Sequence, residues 1–247
     1  MKNLFTFLMV LALAGCATQG TRSADDSQNR NRAKLHTELA AAYYAQGQMA
    51  IALEEFTKAT QLDPSYASAY TGLGLVHAAL KQDGKAEANF KRALQLDPEN
   101  SDTHNNYGTF LCVRNRVDEA IKEFMTAISN PLYTTPESAY LNAGICALKK
   151  KDTKNAEGYF LNALRIDPNA RAASYQLANL YFNKGEHLQA RTYLLKAMHN
   201  IDPTPEMLWL GVRNEQILGG KDAEASYRLL LRKKYPNSDE TKAMLAE

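Results

Sequence analysis

The hydrophobic and polar positions of residues 67–100 form two sets, each repeating at helical spacing. The first set lies at i, i+3, i+4 and i+7, on one face of a first helix, and consists of Tyr70, Leu73, Gly74 and His77. The second set predicts a second helix and consists of Ala86, Phe90, Ala93 and Leu94. Residues 81–84 are a polar turn between them, and Pro98 ends the second helix because its ring clashes with the preceding turn. The segment therefore predicts a helical hairpin.

The hairpin pattern recurs, as it must if so small a unit is to bury its apolar face. A large apolar residue of the second helix returns at gaps of 34, 34, 36, 34 and 35 residues, at Phe56, Phe90, Phe124, Phe160, Leu194 and Leu229. Six repeats and a short C-terminal cap fill residues 33–247, at about 33–66, 67–100, 101–136, 137–170, 171–205 and 206–239. The last repeat departs most from the pattern, with Arg213 where a small residue is expected, which suits a capping repeat with a polar outer face.

This pattern of small, aromatic and proline positions resembles the tetratricopeptide repeat family. The resemblance implies an all-α fold, a right-handed α-solenoid superhelix of six helix-turn-helix hairpins in which each hairpin contacts only its neighbours. Small residues at the helix crossings let the backbones approach, and the row of large apolar residues fills the gaps between hairpins. We interpret both sets as structural.

The N-terminal segment differs from the repeats. Its apolar run, residues 4–14, is too short to span a bilayer of about 30 Å as a helix and is typical of a secretory signal. The tetrapeptide LAGC, which ends at Cys16, resembles a bacterial lipobox, and this implies that residues 1–15 are removed and that Cys16 carries a covalent lipid. Because no aspartate follows Cys16, the resemblance implies anchoring at the periplasmic face of a Gram-negative outer membrane. Residues 16–32 then form the lipidated cysteine and a flexible tether, since 17–32 contain no large apolar residue.

Charge and motif content argue against several functional classes. The chain has 29 Lys plus Arg against 27 Asp plus Glu and no long basic run, which gives no electrostatic case for nucleic acid binding. It lacks dinucleotide and P-loop glycine motifs, paired carboxylates, CxxC pairs and a nucleophile beside a base. We therefore predict a protein that is not an enzyme and that has no metal, no small-molecule substrate and no cofactor other than the lipid on Cys16.

The two other cysteines, Cys112 and Cys146, each lie late in the first helix of a repeat. Equivalent helices of adjacent repeats pack side by side, so the two thiols could come within bonding distance, and the periplasm favours oxidation. We predict a disulfide between them. The alternative is two separate buried thiols.

Binding remains as the predicted activity, and the repeat architecture indicates where. In proteins with these repeats the first helices line a concave groove, and the residues at the groove positions here are Tyr44, Thr71, Leu75, Asn105, Thr109, Leu141, Ile145, Leu148, Tyr175, Asn179, Phe182, Leu210, Asn214 and Ile217. We predict that they bind an extended or helical partner segment through apolar anchors and asparagine side chains. The alternative is that a share of the apolar ones pack between repeats.

The segments NNYGTFLC and NPLYTTPE, together with the lipobox, the six repeats and the chain length, are similar to the type IV pilus biogenesis lipoproteins of the PilW/PilF family. The resemblance implies a pilotin, an outer-membrane lipoprotein that binds the pilus secretin. It would promote localisation and multimerisation of the secretin, and hence pilus stability and twitching motility. The alternative is a general periplasmic scaffold that recruits cell-wall hydrolases or outer-membrane assembly factors.

Overall fold

The computed structural model describes residues 26–246, and every regular element in this range is an α-helix. The first helix, α1, is described over 26–45. The helices that follow are α2 (Met49–Leu62), α3 (Ala67–Ala79), α4 (Asp83–Leu96), α5 (Ser101–Val113), α6 (Val117–Ser129), α7 (Pro136–Lys149), α8 (Thr153–Ile166), α9 (Arg171–Asn183), α10 (His187–Met198), α11 (Pro205–Leu218), α12 (Lys221–Lys234) and α13 (Asp239–Leu245). Across these residues no helix combines the length and the apolar character needed to cross a membrane.

Consecutive helices pair into hairpins through one recurring turn. The turn from first to second helix contains a residue in the left-handed backbone region, namely Gly47, Lys81, Asn115, Lys151, Gly185 and Gly219 in successive hairpins. Glycine and asparagine adopt this region at low cost, while Lys81 and Lys151 do so against their intrinsic preference. The repeated turn geometry, the all-helical content and the hairpin order confirm the predicted all-α fold of tetratricopeptide hairpins.

The described residues divide into two compact units, which separate between Phe110 and Leu111. In the first unit the core forms where α1 and α2 meet α3, around Ala40, Phe56 and Val76. The ring of Phe56 lies so close to Gly72 that a Cβ there would be 2.1 Å from it. Phe90 is fully buried and packs against the ring of Tyr107, with 5.5 Å between centroids. The apolar row therefore does fill the space between helices, as predicted.

In the second unit the fully buried Phe160 holds the position in its hairpin that Phe90 holds in the first unit. A Cβ added at Gly144 would lie 2.4 Å from its ring, so only glycine fits at this crossing. A second cluster joins α9, α10 and α11 around Ala178 and Leu194. The short helix α13 closes the chain by packing against α11 and α12 through Met244, which contacts Leu208 and Leu231. The last hairpin is thus covered by an extra helix.

The predicted register of the last repeat is wrong. Leu229, which was expected to continue the buried row, is 60% exposed. Tyr227 takes its place, since a Cβ on Gly211 would lie 2.7 Å from the Tyr227 ring. The spacing from Gly211 to Tyr227 equals the spacing from Gly144 to Phe160. The packing of repeat six is therefore displaced by two residues from the pattern read in the sequence.

The predicted flexible tether over residues 16–32 is also wrong for residues 26–32, which form the start of the described part of α1. This segment contains no glycine or proline to end a helix, and the guanidinium of Arg30 lies 6.0 Å from the centroid of the Tyr66 ring. Ala33, which follows directly, is fully buried. The predicted signal peptide (1–15), Cys16 and the rest of the tether lie outside the described residues.

Candidate binding groove

In the first unit, two of the predicted groove residues, Thr71 and Leu75, line a shallow recess of about 250 Å³. Leu75 is half-buried, whereas Thr71 is only 8% exposed and its Oγ1 lies 2.7 Å from Oγ1 of Thr103. Thr71 therefore forms the wall of the recess and offers no free hydroxyl to a partner. Tyr44 is half-buried against the core formed by α1, α2 and α3.

The predicted groove residues of α5 both lie in the first unit. Asn105 is half-buried and Thr109 is exposed. The Thr109 hydroxyl donates a hydrogen bond of 2.9 Å to the carbonyl oxygen of Asn105, one helical turn earlier. This local bond competes with any hydrogen bond that the hydroxyl could donate to a partner.

In the second unit, the predicted residues of α7 and α9 combine packing with exposure. Leu141, Leu148 and Phe182 contact the core cluster around Phe160, so the alternative that such residues pack between repeats holds for part of each side chain. Ile145 is 37% exposed, and Tyr175 is half-buried against the cluster of α9, α10 and α11. The remaining residue, Asn179, is half-buried, and its Nδ2 donates to the carbonyl of Tyr175 at 3.2 Å. The helices α7 and α9 thus present a partly apolar surface.

On α11 the groove assignment is wrong for two of the three predicted residues. Leu210 is 1% exposed and belongs to the core with Ala178 and Leu194. Asn214 is also 1% exposed, and its amide joins α11 to α10, since Nδ2 donates to the carbonyl of His187 at 3.1 Å. Both errors follow from the two-residue displacement of this repeat. Ile217 is 57% exposed.

Two other residues of α11, Trp209 and Arg213, extend the partly apolar surface of α9. The sequence pattern did not identify either of them. The guanidinium carbon of Arg213 lies 4.9 Å from the centroid of the Phe182 ring and 5.6 Å from that of Trp209. Arg213 is therefore held by one aromatic ring from α9 and one from its own helix. We name the surface formed by Tyr175, Phe182, Trp209 and Arg213 the α9–α11 surface. The displaced Gly211 was the signal in the sequence that could have identified it.

The structure joins the sulfur atoms of Cys112 and Cys146, whose Cα atoms lie 5.7 Å apart. Both side chains are buried, one near the end of α5 and the other near the end of α7. Lys149 reinforces the same contact, because its Nζ donates to the carbonyl oxygen of Cys112 at 2.8 Å. The disulfide and this hydrogen bond join the C-terminal ends of α5 and α7, the first helices of two consecutive repeats. This agrees with the predicted side-by-side packing of these helices.

Two histidines of the first unit, His36 and His77, form hydrogen bonds with neighbouring side chains. His36 Nδ1 lies 2.6 Å from Glu55 Oε2, and hydrogen bonds from Lys58 and then His36 lower the pKa of Glu55. His77 Nδ1 lies 2.7 Å from Gln82 Oε1. Within residues 26–246 no three His, Cys, Asp or Glu side chains are grouped so as to hold a metal ion.

One carboxylate of the second unit is similarly tied into the packing between α8 and α9. Glu157 accepts hydrogen bonds from Lys184 and from the hydroxyl of Tyr181, the latter at 2.7 Å. These bonds favour the charged carboxylate, so they lower the pKa of Glu157, with Lys184 as the larger cause. Burial, followed by the bond to Glu157, raises the pKa of Tyr181. The arrangement links two adjacent hairpins.

Comparison with known families covers most of the chain. The family described as TPR repeat matches residues 40–81. Families described as Tetratricopeptide repeat match residues 67–100, 89–122, 108–171 and 141–204. These segments overlap and together extend from α1 to the end of α10.

Two relatives extend the similarity to almost the whole length. The type IV pilus assembly protein PilF of Pseudomonas aeruginosa is 29% identical over 243 residues, which are 98% of this chain and 96% of PilF. The crystal structure of PilW, described as a widely conserved type IV pilus biogenesis factor, is 30% identical with a TM-score of 0.78, and the match covers 86% of this chain and 98% of PilW. This chain belongs to the PilF/PilW family. A structure from the functional characterisation of Pseudomonas aeruginosa PilF agrees, with a TM-score of 0.79 and 28% identity over 89% of this chain and 99% of that one.

Proposed function

We propose that this family member is an adaptor in type IV pilus biogenesis that binds the pilus secretin and promotes its localisation and multimerisation in the outer membrane. In this proposal Cys16 carries the lipid that anchors the chain at the periplasmic face of that membrane. The observation that carries the proposal is the similarity to PilF and PilW, which extends over nearly the full length of both relatives. A match of this extent goes beyond the repeats that many adaptors share.

The surface chemistry supports binding as the mode of action. Tyr175, Phe182 and Trp209 are exposed in part and also pack against the core of the second unit. Ile145 is 37% exposed. Aromatic side chains that are already immobilised lose little conformational freedom on binding, and aromatic residues are enriched among those that dominate interface energies. We therefore assign secretin binding to the α9–α11 surface together with Ile145.

A pull-down with the secretin tests this assignment. The double variant Tyr175→Glu/Phe182→Glu is expected to lose secretin binding, because two carboxylates would replace apolar contacts at the centre of the surface. Leu188→Glu is the matched control, since Leu188 is 63% exposed on α10 and lies outside the α9–α11 surface. Circular dichroism must give equal helical content for both proteins. Undiminished binding by the double variant would remove the α9–α11 surface from the proposal.

The cellular role is tested by the content of secretin multimers in a strain that lacks this chain. We expect fewer multimers at the outer membrane and fewer pili, with both restored by the wild-type gene. A Cys16→Ser variant should leave the binding surface intact and lose membrane association and incorporation of radiolabelled palmitate. Normal multimers and normal pili in the deletion strain would instead favour the general periplasmic scaffold.

A further inference from the structure

The α9–α11 surface has a single positive charge at its centre, and that charge is held in a defined orientation. The guanidinium carbon of Arg213 lies within 6 Å of the ring centroids of both Phe182 and Trp209. Contacts of this kind are attractive, and two of them on one side chain limit its movement. The positions left for a ligand are then the N–H groups along the edge of the guanidinium plane.

Those N–H groups have no partner in the part of the chain that the structure describes. The Nε of Arg213 is buried and forms no hydrogen bond, and no carboxylate in residues 26–246 forms an ion pair with this side chain. Arg191 provides a contrast on the neighbouring helix, because its Nε donates at 2.7 Å to Glu215 and its Nη2 donates to the other oxygen of the same carboxylate. Because the Arg213 guanidinium has no acceptor in the described residues, a ligand that supplies one to its terminal N–H groups gains charge-assisted hydrogen bonds.

The chemistry of the missing acceptor follows from the shape of the donor. The planar guanidinium fork matches a carboxylate, which can accept two parallel hydrogen bonds in the same plane. Of the nearby polar side chains, Asn179 donates to the Tyr175 carbonyl, and His187 Nδ1 lies 3.2 Å from Asn214 Oδ1. One positive charge suits a singly charged carboxylate better than a phosphate. The rings of Phe182 and Trp209 both lie close to Arg213, so the residues that flank the carboxylate in the bound chain should be apolar.

We propose that Arg213 is the recognition site for an aspartate or glutamate side chain within an otherwise apolar segment of the partner. The inference deepens the proposed function, and it rests on that function in taking the α9–α11 surface as the docking surface. It adds a charge requirement to what would otherwise be apolar binding. It also explains why an arginine stands among aromatic residues at this surface.

The fluorescence of Trp209 gives a direct measurement, since the chain contains one tryptophan and that tryptophan contacts Arg213. The probes are two short peptides, acetylated and amidated, that differ only in a central glutamate or glutamine between leucines. A third peptide has the central glutamine and a free C-terminal carboxylate. The wild-type protein is expected to bind the glutamate peptide about tenfold more tightly than the glutamine peptide, as charge-assisted hydrogen bonds predict. The third peptide should bind as the glutamine peptide does.

Variants assign the preference to Arg213. Arg213→Gln should bind both amidated peptides equally, and Arg213→Lys should keep only part of the preference because lysine lacks the planar fork. Arg232→Gln, at an exposed position on α12, is the control and should behave as the wild type. Equal binding of the two peptides by the wild type, a preference that survives in Arg213→Gln, tighter binding of the terminal carboxylate, or no fluorescence response would each overturn the inference. The secretin pull-down is independent of these peptides, so failure of the proposed function would be seen separately.

Discussion

Separate replacement of Leu231 and Leu229 by alanine tests the displaced packing of repeat six. The two leucines lie two residues apart on α12, yet Leu231 is fully buried against Leu208 and Met244 while Leu229 is 60% exposed. Loss of a buried leucine side chain costs about 2–5 kcal/mol, because the contacts are lost and a cavity remains. A substitution at an exposed position changes the free energy of unfolding by about 0.5 kcal/mol or less. Leu231→Ala is therefore expected to destabilise the repeat and Leu229→Ala to leave it nearly unchanged.

Urea denaturation followed by Trp209 fluorescence is the appropriate assay, because Trp209 packs against the same cluster as Leu231. The signal then reports the unfolding of the last repeat even if the chain does not unfold in one step. With a denaturant slope of about 1–3 kcal/mol per molar urea, the Leu231→Ala midpoint should fall by about 1 M or more. A larger shift for Leu229→Ala, or equal shifts for both variants, would refute the displaced register.

Three further predictions concern the second unit. Alanine at Gly144 would place a Cβ 2.4 Å from the Phe160 ring and should lower the melting temperature. Alanine at the exposed Gly158 should raise the melting temperature, because replacing a helical glycine by alanine adds about 0.5–1 kcal/mol to the free energy of unfolding. Denatured, unreduced protein should yield no free thiol from Cys112 or Cys146, and reduction should cost about 3–4 kcal/mol for a 34-residue separation; two titrating thiols would contradict this. Because the pKa of Glu157 is lowered in the folded protein, its carboxylate contributes stability that is present above the ordinary pKa of 4.5 and is lost as the pH falls through the lower folded value. In urea melts at a series of pH values, the free energy of unfolding of Glu157→Gln should therefore fall less on acidification than that of the wild type.

Most of the fold follows from the sequence because each hairpin is specified locally. The spacing of Gly74 to Phe90 recurs as Gly144 to Phe160, and each pair places a ring against a position that has no side chain. The sequence pattern therefore determines which helices pair and in which order. The start of α1 was not predictable in this way, since the polar residues 26–32 resemble a tether in composition and form a helix beside Tyr66.

The binding surface was less predictable, because exposure of a residue on a first helix depends on the next helix along the array. Leu210 and Asn214 match the groove positions in residue type, but the displacement of repeat six turns both into the core. The same displacement brings Trp209 and Arg213 to the surface. In the sequence Arg213 looked like a misfit at a position for a small residue, whereas Gly211 holds that position in the structure. Tertiary packing decided between the two registers.

The covalent connection between α5 and α7 changes how the second unit can come apart. In an array of hairpins that contact only their neighbours, a terminal hairpin has one stabilising neighbour fewer than the others, so unfolding can begin at a free end and proceed one hairpin at a time. Unfolding that starts at α13 would next separate α11 and then α9, which are held in place by non-covalent contacts. At Cys146 it would meet a bond that packing forces cannot open. In the arrangement proposed above, with a lipid on Cys16 at one end and a partner on the α9–α11 surface, this bond would limit how far a pulling force could unfold the array.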